Sequence, residues 1–600
     1  MIPNRIASLG LCLAAGLAYA QGGEVITVDT ASATVDFGGA QRLADLPGPD
    51  GRVSLEEAGL ASDNSSGVQT IGFAVPQSEW EFQWLFPGRV VLRPFLGFRT
   101  FDTVIIDGTT QTAFTGDTNP DGAEVVIWAA TYLVDNVGSV VRGLDNAQLT
   151  ISGGSGNTVQ GNTESGIEVY DSTGCLIGGA NPGEGNTGGT IKIDRASFNT
   201  IVGNTIQRVR ILGWVDGGQP AVGNRVGGPT PEERNFITGY GTWNSEGAPG
   251  GTTVQIFDSV GTIVEGNWIG TTPDGMEQGH LASTAGVGFE GENHDAVIRN
   301  NRIAGILGHG QGPHYAGWLF GSAIQLYGEG GNFTIQGNTI GLNALGEPLL
   351  GSVTGIVTYD YYLGNVQDVL IGGAGPGEGN EIAGHLLNGV TIDPDFTGIR
   401  LSGNSIHDNE ELGIDLVEPN FVYGVTPNDN LDTDTGGNGL QNYPVLTLAE
   451  AAAGSVHIVG SLDTSPNGSF SVEFFASPVC DATGFGEGER FLGAATVQTD
   501  AQGHAGFDVS LPGTVPEGWY ATATATRDAA WETSEFGPCQ PIVGGACGAD
   551  FNGDGSVNTM DVLAFLNAWS SGDPRGDFNG DGTINTIDVL AFLNAWSAGC

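Results

Sequence analysis

The chain has 600 residues, too many for one compact core, so several domains or a repeat array is expected. It carries 68 acidic against 19 basic residues, a net charge of -49, which excludes nucleic-acid binding through clustered Lys and Arg and favours solubility and divalent-cation chemistry. Its 101 glycines accompany 39% hydrophobic residues, so they mark tight turns in a folded chain.

Residues 1–20 form a leader. Arg5 precedes an apolar run from Ile6 to Leu17, and Ala18-Tyr19-Ala20 fits the small-x-small cleavage rule. The run is too short to span a bilayer, and no later stretch has that length without charge, so a secreted chain without a membrane span is expected. Residues 21–101 are expected to cap a repeat array that begins at 102.

From 102 to 416 the chain repeats itself. Asn157-Thr158-Val159-Gln160-Gly161-Asn162 recurs as Asn199-Thr200-Ile201-Val202-Gly203-Asn204 and as Thr262-Ile263-Val264-Glu265-Gly266-Asn267. Further copies end at Asn301, Asn338 and Asn404, and Ile177-Gly178-Gly179, Val226-Gly227-Gly228 and Ile371-Gly372-Gly373 alternate with them. Asn162 to Asn204 is 42 residues and Asn204 to Asn267 is 63, two and three units of about 21, a solenoid period. Each unit reads as short β-branched strands joined by Gly-Asn turns. Ile and Val stack inside, and Asn stacks coil on coil in a hydrogen-bonded ladder. These phrases, with Ile106-Asp107-Gly108-Thr109-Thr110-Gln111, resemble the bacterial pectate-lyase-like right-handed parallel β-helix repeat proteins. Ser54-Leu55-Glu56-Glu57-Ala58, after Asp50-Gly51, is similar to a motif that often precedes such helices. The resemblance implies an all-β solenoid and leaves activity open, because that fold hosts lyases, glycosidases, tailspikes and inert adhesins.

Residues 417–445 are an acidic link. Thr426-Pro427-Asn428-Asp429-Asn430-Leu431-Asp432-Thr433-Asp434 reads as a solvated loop, with cation binding as the other reading. From 446 to 541 the alternation of Val456-His457-Ile458-Val459, Ser471-Val472-Glu473-Phe474-Phe475 and Trp519 to Thr526 predicts an antiparallel sandwich. It resembles the Ig-like sandwich that often follows these helices.

Residues 547–600 carry the sharpest chemical pattern. Asp550, Asn552, Asp554, Ser556, Asn558 and Asp561 hold positions 1, 3, 5, 7, 9 and 12 of a twelve-residue calcium loop, with Gly555 at the turn. Asp577, Asn579, Asp581, Thr583, Asn585 and Asp588 repeat it 27 residues later, with Gly582 at the turn. Calcium takes six to eight oxygens, and this spacing offers only oxygens, so two Ca2+ sites are expected. Each loop runs into Val-Leu-Ala-Phe-Leu-Asn-Ala-Trp, a short helix with an apolar face. The pair resembles a type I dockerin, closing each loop on Asp. The resemblance implies docking to a cohesin-like or cell-surface partner, with Thr559, Met560, Thr586 and Ile587 facing it.

Export permits disulfides. Cys547 with Cys600 and Cys480 with Cys539 bracket two segments and are paired on that ground, although sequence alone does not fix connectivity. Cys175 is then a buried thiol. For chemistry on the β-helix the suggestive stretch is Glu292-Asn293-His294-Asp295, Arg299, Arg302 and Gly308-His309-Gly310, beside His314, Tyr315, Trp318 and Tyr359 to Tyr362. Gly308-His309-Gly310 resembles one motif of polygalacturonases, but its paired-Asp companion is missing. Two functions stay open: a non-catalytic, carbohydrate-associated surface protein, and a dockerin-bearing polysaccharide lyase or glycoside hydrolase.

Overall fold

The computed structural model describes the chain except residues 1–22, 38, 215–216, 240–241, 244–248, 280–283, 307–320, 350–351, 360–365, 453, 517, 545–548, 553–555, 580–581 and 599–600. It divides into two units, 1–204 and 205–600. No helix among the described residues is long and apolar enough to cross a membrane.

The first unit is a stack of parallel strands. Val25–Val28 pairs with Gln69–Phe73, then Val104–Asp107, Val140–Arg142, Thr158–Gln160, Leu176–Gly178 and Thr200–Val202 follow, each beside the one before. In this register Ile26, Ile71, Ile106, Val141, Val159, Ile177 and Ile201 form one column, every member buried. A second parallel ladder runs through Val125–Val134, Leu144–Ser152, Thr163–Tyr170 and Thr187–Asp194, with Leu133, Ile151, Val169 and Ile193 inward. β-Branched side chains suit both columns, since each buries about 1.5–3 kcal/mol of apolar transfer energy while its neighbours along the strand face out. The ladder starts at Val25, inside the stretch expected to act only as a cap. There Ser54 caps the helix Leu55–Asp63, accepting from the Glu57 amide at 3.3 Å while Glu57 accepts from the Ser54 amide at 3.0 Å.

The second unit continues the same construction. Arg225–Gly227, Ile263–Glu265, Val297–Arg299, Glu329–Gln336, Val366–Gly372 and Ile399–Ser402 stack in parallel, placing Val226, Val264, Ile298, Ile335, Ile371 and Leu401 in one column. Parallel strands joined by returning connections, right-handed as such crossovers are, make this a right-handed parallel β-helix.

Asparagines hold the turns. In the first unit Asn162 Nδ2 donates to Asn186 Oδ1 at 3.1 Å, and Asn186 Nδ2 to Asn204 Oδ1 at 2.9 Å. In the second, Asn235, Asn267, Asn301, Asn338, Asn380 and Asn404 pass the same bond along at 2.9–3.0 Å. The coil period is not the constant 21 expected. Successive ladder members lie 24 and 18 residues apart in the first unit, then 32, 34, 37, 42 and 24 in the second. Only the stacked strands and the Asn turn are constrained by their neighbours, so the connecting loops take insertions freely.

At some turns glycine is obligatory. Gly372 sits at φ +87°, and a Cβ there would lie 2.1 Å from the Ser402 carbonyl oxygen and 2.4 Å from Asn404 Oδ1. Gly346, at φ +80°, has nothing within 4 Å. We expect Gly372→Ala to lower the unfolding free energy by about 3 kcal/mol and Gly346→Ala by about 1 kcal/mol, the difference being the collision. Equal shifts in urea midpoint would contradict this.

After the coils, two antiparallel sheets form the expected sandwich. Val445–Ala452, Ser455–Asp463 and His504–Pro512 make one, and Arg490–Gln498, Ser469–Ser477 and Tyr520–Arg527 the other. Ile458, Phe470, Val472, Phe474 and Ala523 fill the space between. Cys480 and Cys539 form a disulfide and Cys175 is a buried free thiol. Cys547 and Cys600 lie outside the described residues.

The sandwich covers the last coil with carboxylates. Glu473 accepts from the Ser402 hydroxyl at 2.6 Å and the Gly403 amide at 2.8 Å, Glu487 from the Asn409 amide at 3.1 Å and side-chain amide at 2.7 Å. Glu535 accepts from the Leu416 and Thr426 amides, both at 3.0 Å. An open coil end presents unpaired N–H groups, and these three glutamates satisfy those of Gly403, Asn409 and Leu416.

Candidate metal centre and docking helices

The C-terminal module is one loop-helix unit built twice. The helices are Thr559–Ser571 and Thr586–Ala598. Phe565 and Phe592, both fully buried, stack at 4.2 Å with their planes 14° apart. Phe551 meets Phe565 edge-on at 5.4 Å, and Phe578 meets Phe592 in the same way at 5.3 Å. Trp569 Nε1 donates to the Asn585 carbonyl at 2.7 Å and Trp596 Nε1 to the Asn558 carbonyl at 2.9 Å, so each helix ties down the other copy's loop. These matched contacts give an approximate two-fold arrangement, and they supply a core to a segment too small to make one alone.

Each loop closes on a buried aspartate. Asp561 accepts from the Asn552 amide at 3.1 Å and the Asn558 amide at 2.8 Å; Asp588 accepts from Asn579 at 3.2 Å and Asn585 at 2.7 Å. The Asn558 and Asn585 amides hold the two carboxyls below the usual carboxylate range, against the burial that would raise them. Both remain anionic in a loop without Lys or Arg. Asn558 Oδ1 and Asn585 Oδ1 accept from the Met560 and Ile587 amides at 2.8 and 2.7 Å, as helix caps. Their side-chain oxygens are therefore engaged in capping the helices. Asp577 Oδ2 accepts from the Gly582 amide at 2.8 Å, folding the second loop at its φ +82° glycine. An oxygen-only donor set with buried anionic closing residues fits calcium. Asp554 and Asp581 lie outside the described residues.

The residues expected to face a partner are exposed: Met560 and Ile587 both at 57%, with Thr559 and Thr586 beside them. Sequence reasoning missed their companions. Leu563 and Leu566 on the first helix and Leu590 and Leu593 on the second are also exposed, continuing the apolar stripe at helical spacing. No sequence signal marks them, because Val-Leu-Ala-Phe-Leu-Asn-Ala-Trp is apolar around nearly the whole helix.

Elsewhere, the suggestive charged stretch is committed to structure. Arg299 pairs with Glu265 at 2.8 Å, and Arg302 donates to the Leu342 carbonyl at 3.0 Å and lies over Trp268. Asn293 accepts from the Ser259 amide at 3.0 Å, while His294 and Glu292 pair with each other at 3.3 Å on the coil surface. Asp295 accepts from Asn332. Residues 308–318 and 360–362, and the side chain of Tyr359, lie outside the described residues. In the acidic link Asp429, Asp432 and Asp434 come within 4.8 Å of one another, and Arg527, 3.5 Å from Asp432, is their counter-charge.

Residues 548–595 match the Dockerin type I domain. No curated protein matches the chain. Among solved structures it is similar to the Dettilon tailspike protein, at 12% identity and a TM-score of 0.19 over 75% of this chain and 88% of that one. It is also similar to the enzymatically active domain of tailspike protein 2 of bacteriophage CBA120, at 12% identity and a TM-score of 0.21 over 82% and 74%. The β-helix itself rests on the strand registers above. The C-terminal module is a type I dockerin domain, a family that binds calcium, and it follows a parallel β-helix and a β-sandwich in the same chain.

Proposed function

We propose that this is a secreted, carbohydrate-associated β-helix protein that attaches through its dockerin to a cohesin-like or cell-surface partner, with one calcium ion in each loop. The observation that carries the reading is the duplicated unit, in which a buried anionic aspartate sits beneath an exposed apolar stripe in both copies. Residues 1–20 direct export, 102–416 form the carbohydrate-associated coils, 446–541 the sandwich and 547–600 the docking module. Side-chain oxygens of Asp550, Asn552, Asp554 and Asp561, with the Ser556 carbonyl, hold the first ion; Asp577, Asn579, Asp581, Asp588 and the Thr583 carbonyl hold the second. Calcium orders the loops, and the ordered loops fix the angle between the helices that present Thr559, Met560, Thr586 and Ile587.

Calorimetric titration of the apo chain with calcium is expected to give two ions bound, and Asp561→Ala or Asp588→Ala one. Chelation is expected to remove the helical signal of 559–571 and 586–598 together with capture by an immobilised cohesin, leaving the β signal intact. Unchanged helicity after chelation would sink the metal reading. Calcium-loaded protein that no cohesin and no cell envelope fraction retains would sink the docking one.

A further inference from the structure

The first unit carries an aromatic and arginine surface that the docking module does not explain. Residues 82–101 contain three arginines and no acidic residue, in a chain with 68 acids and 19 bases. The same segment holds Phe82, Trp84, Phe86, Phe95, Phe98 and Phe101. Trp84 is 82% exposed, Phe95 90% and Leu96 80%, a degree of exposure that large apolar side chains rarely show together.

The backbone builds this surface deliberately. Val90–Leu92 pairs with Val125–Ile127, and Phe98–Thr100 with Thr131–Leu133, so residues 93–97 bridge a gap opposite Trp128 to Ala130. There strand Val125–Val134 shifts register against its other neighbour between Ile127 and Ala130, a bulge that turns Trp128 outward. Phe82 and Phe86 meet Trp128 edge-on at 5.4 and 5.5 Å, so the indole is fixed from two sides and still 42% exposed. The loop behind them is held by Gln83, which donates to the Arg89 carbonyl at 2.7 Å and accepts from the Gly88 amide at 3.0 Å.

The arginines divide into two kinds. Arg89 is spent on Asp145 at 2.7 Å. Arg93 lies over both Phe82 and Trp128, at 5.0 and 5.4 Å, and Arg99 lies over Tyr132 at 4.8 Å. Both are exposed, and neither has an ion pair among the described residues. A guanidinium on an aromatic face is held in one plane with its N–H edge open to solvent, the geometry that accepts a carboxylate or sulfate by two parallel hydrogen bonds. The exposed Trp128 indole beside Arg93, with the exposed Trp84 and Phe95 of the same segment, suits the C–H faces of sugar rings.

We propose that the surface around Arg93, Arg99, Trp84, Phe95 and Trp128 binds an anionic polysaccharide. The occupant follows from charge: two unpaired cations, fixed on aromatic rings, on a chain otherwise repelling anions, select a carboxylated or sulfated polymer over a neutral one. The proposal rests on the carbohydrate-associated reading above and gives it a place and a ligand class.

The test is affinity electrophoresis of the full, calcium-loaded chain in gels containing alginate, carrageenan or neutral galactomannan. Retardation by alginate, carrageenan or both, and not by galactomannan, is expected. Arg93→Gln with Arg99→Gln, and separately Trp84→Ala, should each weaken it at least tenfold, while Arg42→Gln, at an exposed arginine elsewhere in the unit, should not. All four side chains are exposed, and unchanged melting curves would verify folding. If anionic gels retard the wild type and the variants equally, the surface is wrong while the carbohydrate reading stands. Retardation in galactomannan alone would overturn the anionic ligand and keep that reading. If no gel retards the wild type, both fall. Concentration-dependent dimerisation in light scattering, abolished by Trp84→Ala, would assign the surface to a second copy instead.

Discussion

Replacing Asn301 with alanine is expected to lower the unfolding free energy by about 4 kcal/mol, as much as removing a large core side chain. Asn301 is 2% exposed, and every polar atom of its side chain is used. Nδ2 donates to the Asn338 oxygen at 3.0 Å, to the Val264 carbonyl at 2.9 Å and to the Arg299 carbonyl at 3.0 Å; Oδ1 accepts from the Asn267 amide and side chain, both at 3.0 Å. Alanine leaves the buried Asn267 backbone amide without an acceptor, a loss of about 1–3 kcal/mol. It also strips one donor from Asn338, leaves the Asn267 side chain only the Val226 and Glu265 carbonyls, and removes the buried side chain's own packing. Asn301→Asp should be at least as damaging above pH 5, because it sets a carboxylate against the Asn338 oxygen and the Val264 carbonyl without any N–H to offer them. Urea denaturation of both variants at fixed calcium checks this. A loss under 1 kcal/mol would mean that the ladder follows the stacking of the coils and does not hold it.

That ladder also shows which parts of the fold can be read from the chain. Gly-Asn pairs at 161–162, 203–204 and 266–267 are visible because stacked positions see identical neighbours and so keep identical residues. Asn186 in the first unit and Asn235 and Asn380 in the second belong to such ladders but escape a fixed period, because loops inserted between the stacked positions carry no stacking constraint and change the count. The two loops of the C-terminal module are legible for the opposite reason: the oxygen-bearing residues of each fall within twelve consecutive positions, so spacing alone carries the pattern. The exposed leucines are not, since Val-Leu-Ala-Phe-Leu-Asn-Ala-Trp is apolar around nearly the whole helix and does not say which side is buried. Nor is the aromatic surface of the first unit. Trp128 faces out only because of a register shift, and Arg93 finds it only through a fold contact 35 residues away. The same holds for the glutamates at the coil end, which lie 70 to 119 residues along the chain from the coil amides that they bind.

Those glutamates, with Asp415, give the second large effect: the junction between coils and sandwich is expected to weaken as pH rises from about 4 to above 7. Burial pushes the Asp415 carboxyl up to about 7, against hydrogen bonds from Gly424 and Asn388. Burial likewise pushes Glu487 up to about 7 and Glu535 well above the usual range, with Asp415 the next cause for Glu535. The charged groups facing them are Glu411 and Glu418 on the coil side and Asp408 and Asp481 beside Glu487, all acids. A folded pKa above the unfolded one means that the native state holds the extra proton. The stabilisation is therefore complete below about pH 4 and is lost progressively until pH passes about 7, by about 4 kcal/mol for Asp415 and about 3 kcal/mol for Glu487. His385 works the other way. Burial lowers it to about 4, against the Ser352 backbone, so its contribution is present above pH 6.5 and falls away in acid. Between pH 4 and 6.5 the two trends oppose each other, and above 6.5 only the carboxyls titrate. Unfolding free energy of the full chain, measured in urea at fixed calcium, should therefore drop between pH 6 and 8. Asp415→Asn with Glu487→Gln, which keep the shape and remove the charge, should flatten that drop. A double variant with the wild-type slope would place the pH response elsewhere in the chain and leave these carboxyls with no part in it.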